Sequence, residues 1–367
     1  MAIMAVNKTN RFVRLSRVEA DFCMIGNCKF CILYYLFLCL LVVETKGQIM
    51  DLDSIKSDYF KKYDIVFIGE QHKIQSTGRI EFKLINLINY DITKVCVEAP
   101  VDFNLPIEFL FKKEDTIHYN LSEFIQNGHS YELLGYLYNI HVMPKAIDVL
   151  KVENFYKEAI INIYKSKEVS GDLKNEISAF ADIGIIKFPF RFKNMNKYGI
   201  FLDNFYKRRA EHCRVLGQDS TKVIEYFEAL DAMLFAENDL NKDAPIFSKF
   251  REEFMLKMIS KEIDKFLKVI SINGLAHVSL GGKDTDIKND NWTPLASMVK
   301  NSFPSKNICS IFLLNPEQDK FFRKDYPKEF AFICNNFKLN KTYIIDIDYP
   351  DSPFKNLIGK YTHIVVF

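Results

Sequence analysis

The chain has no excess of charge of either sign: 49 lysine and arginine residues stand against 47 aspartate and glutamate residues, a formal net charge of +2. Proteins that bind nucleic acid through its phosphates carry a marked basic surplus, so this balance predicts no nucleic-acid partner. Also missing are a Gly-x-Ser-x-Gly sequence, a P-loop and a dinucleotide-binding glycine fingerprint. Their absence argues against serine hydrolases, nucleoside triphosphatases and dinucleotide-dependent dehydrogenases.

Long hydrophobic runs are missing as well, apart from one 14-residue apolar run at positions 30–43. This run is shorter than the ~20 residues that a transmembrane helix needs, but it has the length of a signal-peptide core. Thr45 and Gly47 supply the small residues that a cleavage before Gln48 requires. We therefore expect residues 1–47 to be a signal peptide, and the protein to be exported to the periplasm or the extracellular space. The alternative is an uncleaved anchor, through which alone the protein would contact a membrane.

Seven short segments rich in Val, Ile and Phe predict strands, and helix-like patterns lie between them. The strand candidates are 65–68, 95–98, 146–149, 266–272, 308–313, 343–347 and 364–367. Strands that alternate with helices are typical of a parallel sheet with helices on its faces. The stretch from about 151 to 265 carries almost no strand signal. The sequence therefore predicts one α/β domain over 48–367: a central, mostly parallel sheet flanked by helices, with a large helical insertion over 151–265.

Two of the strand candidates run directly into a Gly-x-x-His turn, one ending at His72 and the other at His277. Open α/β sheets collect ligands at the carboxyl edge of their strands, because the loops there face one common crevice. We therefore expect both histidines in one site. Its substrate would be a small molecule or a peptide, which the helical insertion would select.

Carboxylates accompany these histidines. Glu70 lies between Gly69 and His72, and Glu98 ends the next predicted strand. If the two strands are adjacent, Glu70, His72 and Glu98 meet at one edge of the sheet. A carboxylate that holds an imidazole fixes its tautomer and raises its basicity, as a general base toward water requires. Glycine at position 69 is expected to let the backbone turn sharply after the strand.

The same residues also suit a second chemistry. His72, His277 and Glu70 could hold a divalent metal with an open position for water. Two further residues are candidates for substrate binding. Asp148 ends the third predicted strand and could accept a substrate hydroxyl, and Arg251 could clamp an anionic group, although it equally suits an exposed helix face.

The ordered set of motifs resembles the superfamily that joins the erythromycin esterases, the ChaN-type haem-binding lipoproteins and the TraB/TIKI-type metalloproteases. The resemblance spans nearly the whole chain after residue 47. The matching pieces, in the order of the family, are strand-Gly69-Glu70-Gln71-His72, strand-Glu98, Ile147-Asp148, Arg251-Glu252-Glu253-Phe254-Met255, strand-Gly274-Leu275-Ala276-His277 and a terminal strand at 363–367.

In esterase-like members, the resemblance implies a hydrolase in which His72 activates water for attack on an ester or amide bond. Glu70 and Glu98 would assist His72, while His277 and Arg251 would line the same site. ChaN-like members instead imply a protein that binds haem or another iron compound for uptake. TIKI-like members imply a metal-dependent peptidase.

Two departures leave the closest subfamily open. One residue separates Glu70 from His72 where the esterases usually have two, which favours the Gly-Glu-x-His form of ChaN-like members. The second motif reads Asn273-Gly-Leu-Ala-His277, without the His-Asn pair of the esterases. The sequence therefore gives no reason to expect a macrolide as the substrate.

Overall fold

A computed structural model describes a sheet with flanking helices. It covers residues 49–71, 77–88, 93–104, 107–108, 111, 131–149, 154–169, 171–183, 195–238, 249–281, 292–338, 340–347 and 352–367. The chain divides into residues 1–49 and the compact unit 50–367. The expected signal peptide, 1–47, lies outside the described residues, so export stays a prediction. Within the part of the chain described, no helix has the length and apolarity to cross a membrane.

Eight strands form one sheet in the order β1-β7-β8-β6-β2-β5-β3-β4. Pairing is parallel from β8 through β6, β2, β5 and β3 to β4, whereas β7 is antiparallel to β8. The mostly parallel sheet and all seven expected strands are therefore confirmed; β1 has no counterpart in the sequence prediction. The strands are β1 Ile49–Asp51, β2 Ile65–Glu70, β3 Thr93–Pro100, β4 Lys145–Asp148, β5 Lys268–Gly274, β6 Ile308–Leu314, β7 Tyr343–Asp346 and β8 His363–Val366.

Eleven helices are seen among the described residues, six of them between β4 and β5, where the helical insertion was predicted. They are α1 Thr77–Ile88, α2 Tyr131–Asn139, α3 Asn154–Lys165, α4 Gly171–Asp182, α5 Met195–Lys207, α6 Arg209–Leu216, α7 Ser220–Asn238, α8 Lys249–Ile263, α9 Leu295–Ser302, α10 Lys320–Asp325 and α11 Pro327–Asn336. A 3₁₀ turn, Leu275–Val278, follows β5 directly.

The central strands form because they are covered on both faces. Every residue of β2 and of β5 is buried, which explains the apolar run 65–68 in β2 and the apolar residues Val269, Ile270 and Ile272 in β5. Helix α1 packs on the core through Ile80, Leu84 and Ile88, which recur at helical spacing and are at most 5% exposed. This burial fixes the direction of the strands and hence the position of their carboxyl ends.

The insertion has its own aromatic core, which encloses His212. Its Nδ1 lies 2.6 Å from the Tyr164 hydroxyl and its Nε2 lies 3.1 Å from Glu176 Oε1. Phe205 packs on the imidazole, with ring centroids 4.6 Å apart. Burial, with the nearby charge of Arg208, lowers the pKa of His212 to about 4. The neutral ring is therefore part of the folded structure.

We expect this histidine to make the fold sensitive to acid. The unfolded chain binds a proton at His212 below its ordinary pKa of 6.5, while the folded chain does so only near 4. Stability is therefore complete above pH 6.5 and falls as the pH drops toward 4, by about 2 kcal/mol for this residue between pH 7 and pH 5. Urea unfolding at both pH values measures the loss. In His212→Gln the loss should shrink by that amount, and an unchanged loss would contradict the assignment.

Candidate functional site

The carboxyl ends of β2, β3 and β4 place three acidic residues along one edge of the sheet. Glu70 ends β2 opposite Gly274, Glu98 lies near the end of β3, and Asp148 ends β4 opposite Pro100. The expected adjacency of the strands of Glu70 and Glu98 is wrong, because β5 lies between β2 and β3. Glu98 instead contacts the intervening strand: its Oε2 accepts a hydrogen bond from the backbone N–H of Gly274 at 2.5 Å.

Arg251 forms the centre of this edge. It comes from α8 in the insertion and is 4% exposed. Its Nε and Nη2 donate to the two oxygens of Asp148 at 2.7 and 2.8 Å, a bidentate arrangement, and Nη2 also donates to Glu98 Oε1 at 2.5 Å. The backbone N–H of Val149 donates to Asp148 Oδ1 at 2.8 Å. Arg251 and Asp148, both predicted to bind substrate, thus bind one another.

His277 lies in the turn that follows β5 and is 2% exposed. Its Nε2 lies 3.3 Å from Arg251 Nη1 and 3.5 Å from Glu98 Oε1. Its Nδ1 lies 2.5 Å from Oε1 of Glu252. Burial by itself would lower the pKa of His277, but the carboxylates of Glu252 and Glu98 raise it above its usual value.

Glu70 has a different environment, although it is also buried. It is 1% exposed, and its carboxyl group lies close to that of Glu81, a fully buried residue of α1. Burial raises the pKa of Glu70 to about 7; the contact with Glu81 opposes the rise and the charge of Glu98 adds to it.

Gly69 brings the two Gly-x-x-His segments into contact. A Cβ at this position would lie 2.3 Å from Val278 Cγ2 and 3.0 Å from Leu275 Cδ1. The glycine therefore lets the turn that carries His277 lie directly on β2. We had expected it to provide a sharp turn after the strand, but Gly69 belongs to β2 itself, and its function is close approach.

The structure thus brings together five of the predicted site residues: Glu70, Glu98, Asp148, Arg251 and His277. The sixth, His72, lies outside the described residues. Its neighbour Gln71 donates a side-chain hydrogen bond to Asp319, the N-cap of α10. The chemical roles assigned to all six stay predictions.

Sequence reasoning missed Glu252, Glu81 and Trp292. Glu252 appears in the sequence analysis only within the motif that follows Arg251, without a role, yet it is fully buried and accepts a hydrogen bond from Trp292 Nε1 at 3.0 Å. A signal was present, because Glu252 precedes Met255 and Ile259 by three and seven residues, the spacing of one helical face. No comparable signal marked Trp292.

The described side chains do not suit a divalent metal at His277. Neither ring nitrogen offers an open direction, because Nδ1 faces Glu252 and Nε2 faces the guanidinium of Arg251 at 3.3 Å. A cation at Nε2 would be repelled by that fixed positive charge. Over the part of the chain with described coordinates, no group of three or more His, Cys, Asp or Glu residues is arranged to hold a metal ion.

No family model matches the sequence, and no curated protein matches it. Solved structures do match. A Bacillus cereus protein superposes with a TM-score of 0.60 at 14% identity, over 88% of this chain and 95% of that one. A mutant of the erythromycin esterase EreC in its open conformation gives a TM-score of 0.60 at 11% identity, over 84% and 91% of the two chains. A succinoglycan biosynthesis protein gives 0.58 at 11% identity, over 88% and 94%.

At these identities the matches define the fold. The chain has the erythromycin esterase-like α/β fold, with an eight-stranded mixed sheet and flanking helices, as the resemblance of the sequence motifs implied. The coverage of 91% to 95% of the matched chains includes the insertion as well as the sheet.

Proposed function

We propose that this chain is an exported hydrolase in which His72 activates water for attack on an ester or amide bond of a small molecule or a peptide. The observation that carries the proposal is the buried polar cluster at the carboxyl edge, in which Arg251 binds Glu98 and Asp148 and contacts His277. This cluster lies beside Glu70, two residues before His72. A fixed set of charges at a strand edge is the kind of environment that stabilises charge developing in a reaction.

The contacts suggest separate roles for the two glutamates. Both oxygens of Glu98 are engaged, Oε1 by Arg251 and Oε2 by the backbone N–H of Gly274. Glu98 therefore suits an electrostatic anchor rather than a residue that exchanges protons. Glu70, whose pKa is raised to about 7, suits a carboxyl group that takes up and returns a proton beside His72.

The first test is hydrolysis of chromogenic esters and of a peptide library by residues 48–367. Removal of a general base typically costs 10²–10⁴ in rate, so we expect His72→Ala to lower kcat by roughly that factor without unfolding the protein. His141→Asn is the matched control, since asparagine tolerates the positive φ of 56° at this exposed position. Retained activity of His72→Ala on a confirmed substrate would refute the mechanism.

The same protein preparation tests the alternative functions that the ChaN-like and TIKI-like members imply. An absorption band on mixing with haemin, together with no hydrolysis of any ester or peptide, would contradict the proposal in favour of iron uptake. Stoichiometric metal in the native protein, lost in both His72→Ala and His277→Ala, would contradict it in favour of a metal-dependent peptidase.

A further inference from the structure

Glu252 connects three segments of the chain at one buried point. It belongs to α8, and its Oε1 lies 2.5 Å from His277 Nδ1 in the turn after β5. The same oxygen accepts the indole N–H of Trp292, which precedes α9, at 3.0 Å. The Trp292 ring stands edge-on to the imidazole, with centroids 6.1 Å apart and planes at 71°. All three side chains are at most 2% exposed.

This contact determines which nitrogen of His277 carries a proton. An ionised carboxylate has only acceptor positions, so the imidazole nitrogen that faces it must be the one that bears hydrogen. In the neutral ring a proton on Nδ1 leaves Nε2 as the acceptor; in the charged ring the protonated Nδ1 still faces Glu252 Oε1. In either state Nε2 is the nitrogen that faces Arg251 and Glu98.

Trp292 makes this arrangement rigid. An indole N–H can only donate, so Glu252 Oε1 must act as the acceptor for Trp292 while it also faces His277 Nδ1. A donor group in place of this oxygen would lose the contact with Trp292. Second partners of this kind fix the tautomer and the ring orientation of a functional imidazole.

We propose that Glu252 is a positioning residue which, held by Trp292, fixes the Nδ1–H form of His277 and thereby aims Nε2 at Arg251 and Glu98. The proposal deepens the proposed function, because it makes Glu252 necessary for the site that assists His72. The tautomer of His277 can be measured in the folded protein without any substrate.

The experiment is nuclear magnetic resonance of the protein with ¹⁵N-labelled histidine, since long-range proton–nitrogen correlations distinguish Nδ1–H from Nε2–H rings. His277→Gln assigns the signal. We expect Nδ1–H in the native protein and in Glu252→Gln, whose amide oxygen can still accept, but a shift toward Nε2–H in Glu252→Ala. Glu253→Ala is the matched control, because its side chain is 45% exposed and contacts Lys249 instead.

Fluorescence supplies a second signal, since Trp292 is the only tryptophan of the chain. We expect its emission to change in Glu252→Ala and to stay unchanged in Glu253→Ala. If a substrate is found, Glu252→Ala should lower kcat more than it changes KM, and Glu252→Gln should restore most of the rate.

Two results would overturn the proposal: a native His277 in the Nε2–H form, or a folded Glu252→Ala protein with the native tautomer and emission. If Glu252→Ala does not fold, the tautomer of the native protein decides alone. If His277 is in the Nδ1–H form but the protein hydrolyses no substrate, the hydrolase proposal is wrong and the positioning role of Glu252 stands. If His277 is in the Nε2–H form in an enzyme whose activity depends on His72, the hydrolase proposal stands and the positioning role is wrong.

Discussion

Replacing Arg251 with methionine is expected to lower the free energy of unfolding by about 3–5 kcal/mol at pH 7. Arg251 is the shared partner of Asp148 and Glu98, whose side chains are at most 3% exposed. Methionine fills much of the volume but removes the guanidinium that both buried carboxylates contact. Urea unfolding followed by circular dichroism measures the loss.

The pH dependence distinguishes lost charge from lost packing. Without Arg251, the buried carboxylates favour their neutral forms, so the folded variant binds more protons than the unfolded chain and gains stability as the pH falls. The deficit relative to the native protein should therefore shrink between pH 7 and pH 5, whereas a packing defect would leave it constant. The triple variant Arg251→Met, Glu98→Gln, Asp148→Asn should recover much of the loss, because the two groups that lose the guanidinium are then neutral as well.

Lys257→Met is the control for Arg251→Met. Lys257 lies on the same helix, α8, and forms an ion pair with Glu228 at 2.7 Å, but its side chain is 50% exposed. Exposed pairs contribute roughly 0–1 kcal/mol, so this variant should remain close to native. Equal losses of stability in the two variants would mean that the ion pairs of Arg251 stabilise the fold no more than an exposed ion pair does.

Gly69→Ala is the second change with a large expected effect. The new Cβ would lie 2.3 Å from Val278 Cγ2, so the turn that carries His277 must move away from β2. Overpacking of this kind costs about 1–3 kcal/mol. Hydrolysis should fall as well, because the displaced turn carries His277 away from Arg251. Thermal unfolding and kcat are the two measurements.

The matched control is Gly135→Ala in α2. A Cβ there meets no atom within 4 Å, and alanine is the better helix former, so stability should rise by up to about 1 kcal/mol. Adding Val278→Ala to Gly69→Ala removes the clashing methyl group and should recover part of the loss. If the double variant loses as much stability as Gly69→Ala and Val278→Ala lose together, close approach is not the function of Gly69.

The fold could be read from the sequence largely because its signals are local. The strands β2 and β5 are short segments rich in Val, Ile and Phe that run into Gly-x-x-His, and the six helices between β4 and β5 lie where the stretch without strand signal predicted a helical insertion. The candidates Glu70, Glu98 and Asp148 followed from the same rule, since strand-end residues of a parallel sheet share one edge.

What could not be read depended on contacts between distant segments. The order of strands placed β5 between β2 and β3, so Glu98 meets Gly274 rather than the strand of Glu70. Burial of Glu252 depended on Trp292 and His277, which are 40 and 25 residues away in the chain. Periodicity hinted at its face, but a charged residue on a helix is usually exposed.

The sequence by itself determined the class of fold, the helical insertion and the edge of the sheet where the polar residues collect, because strand and helix patterns depend on neighbouring residues. Only the tertiary structure decided that Arg251 binds Asp148 and Glu98, that Glu70 lies close to Glu81, and that Glu252 faces His277. These pairings are set by strand order and by how α1 and α8 pack on the sheet. Burial strengthens the electrostatic interaction in each pair, because the protein interior has a low dielectric constant.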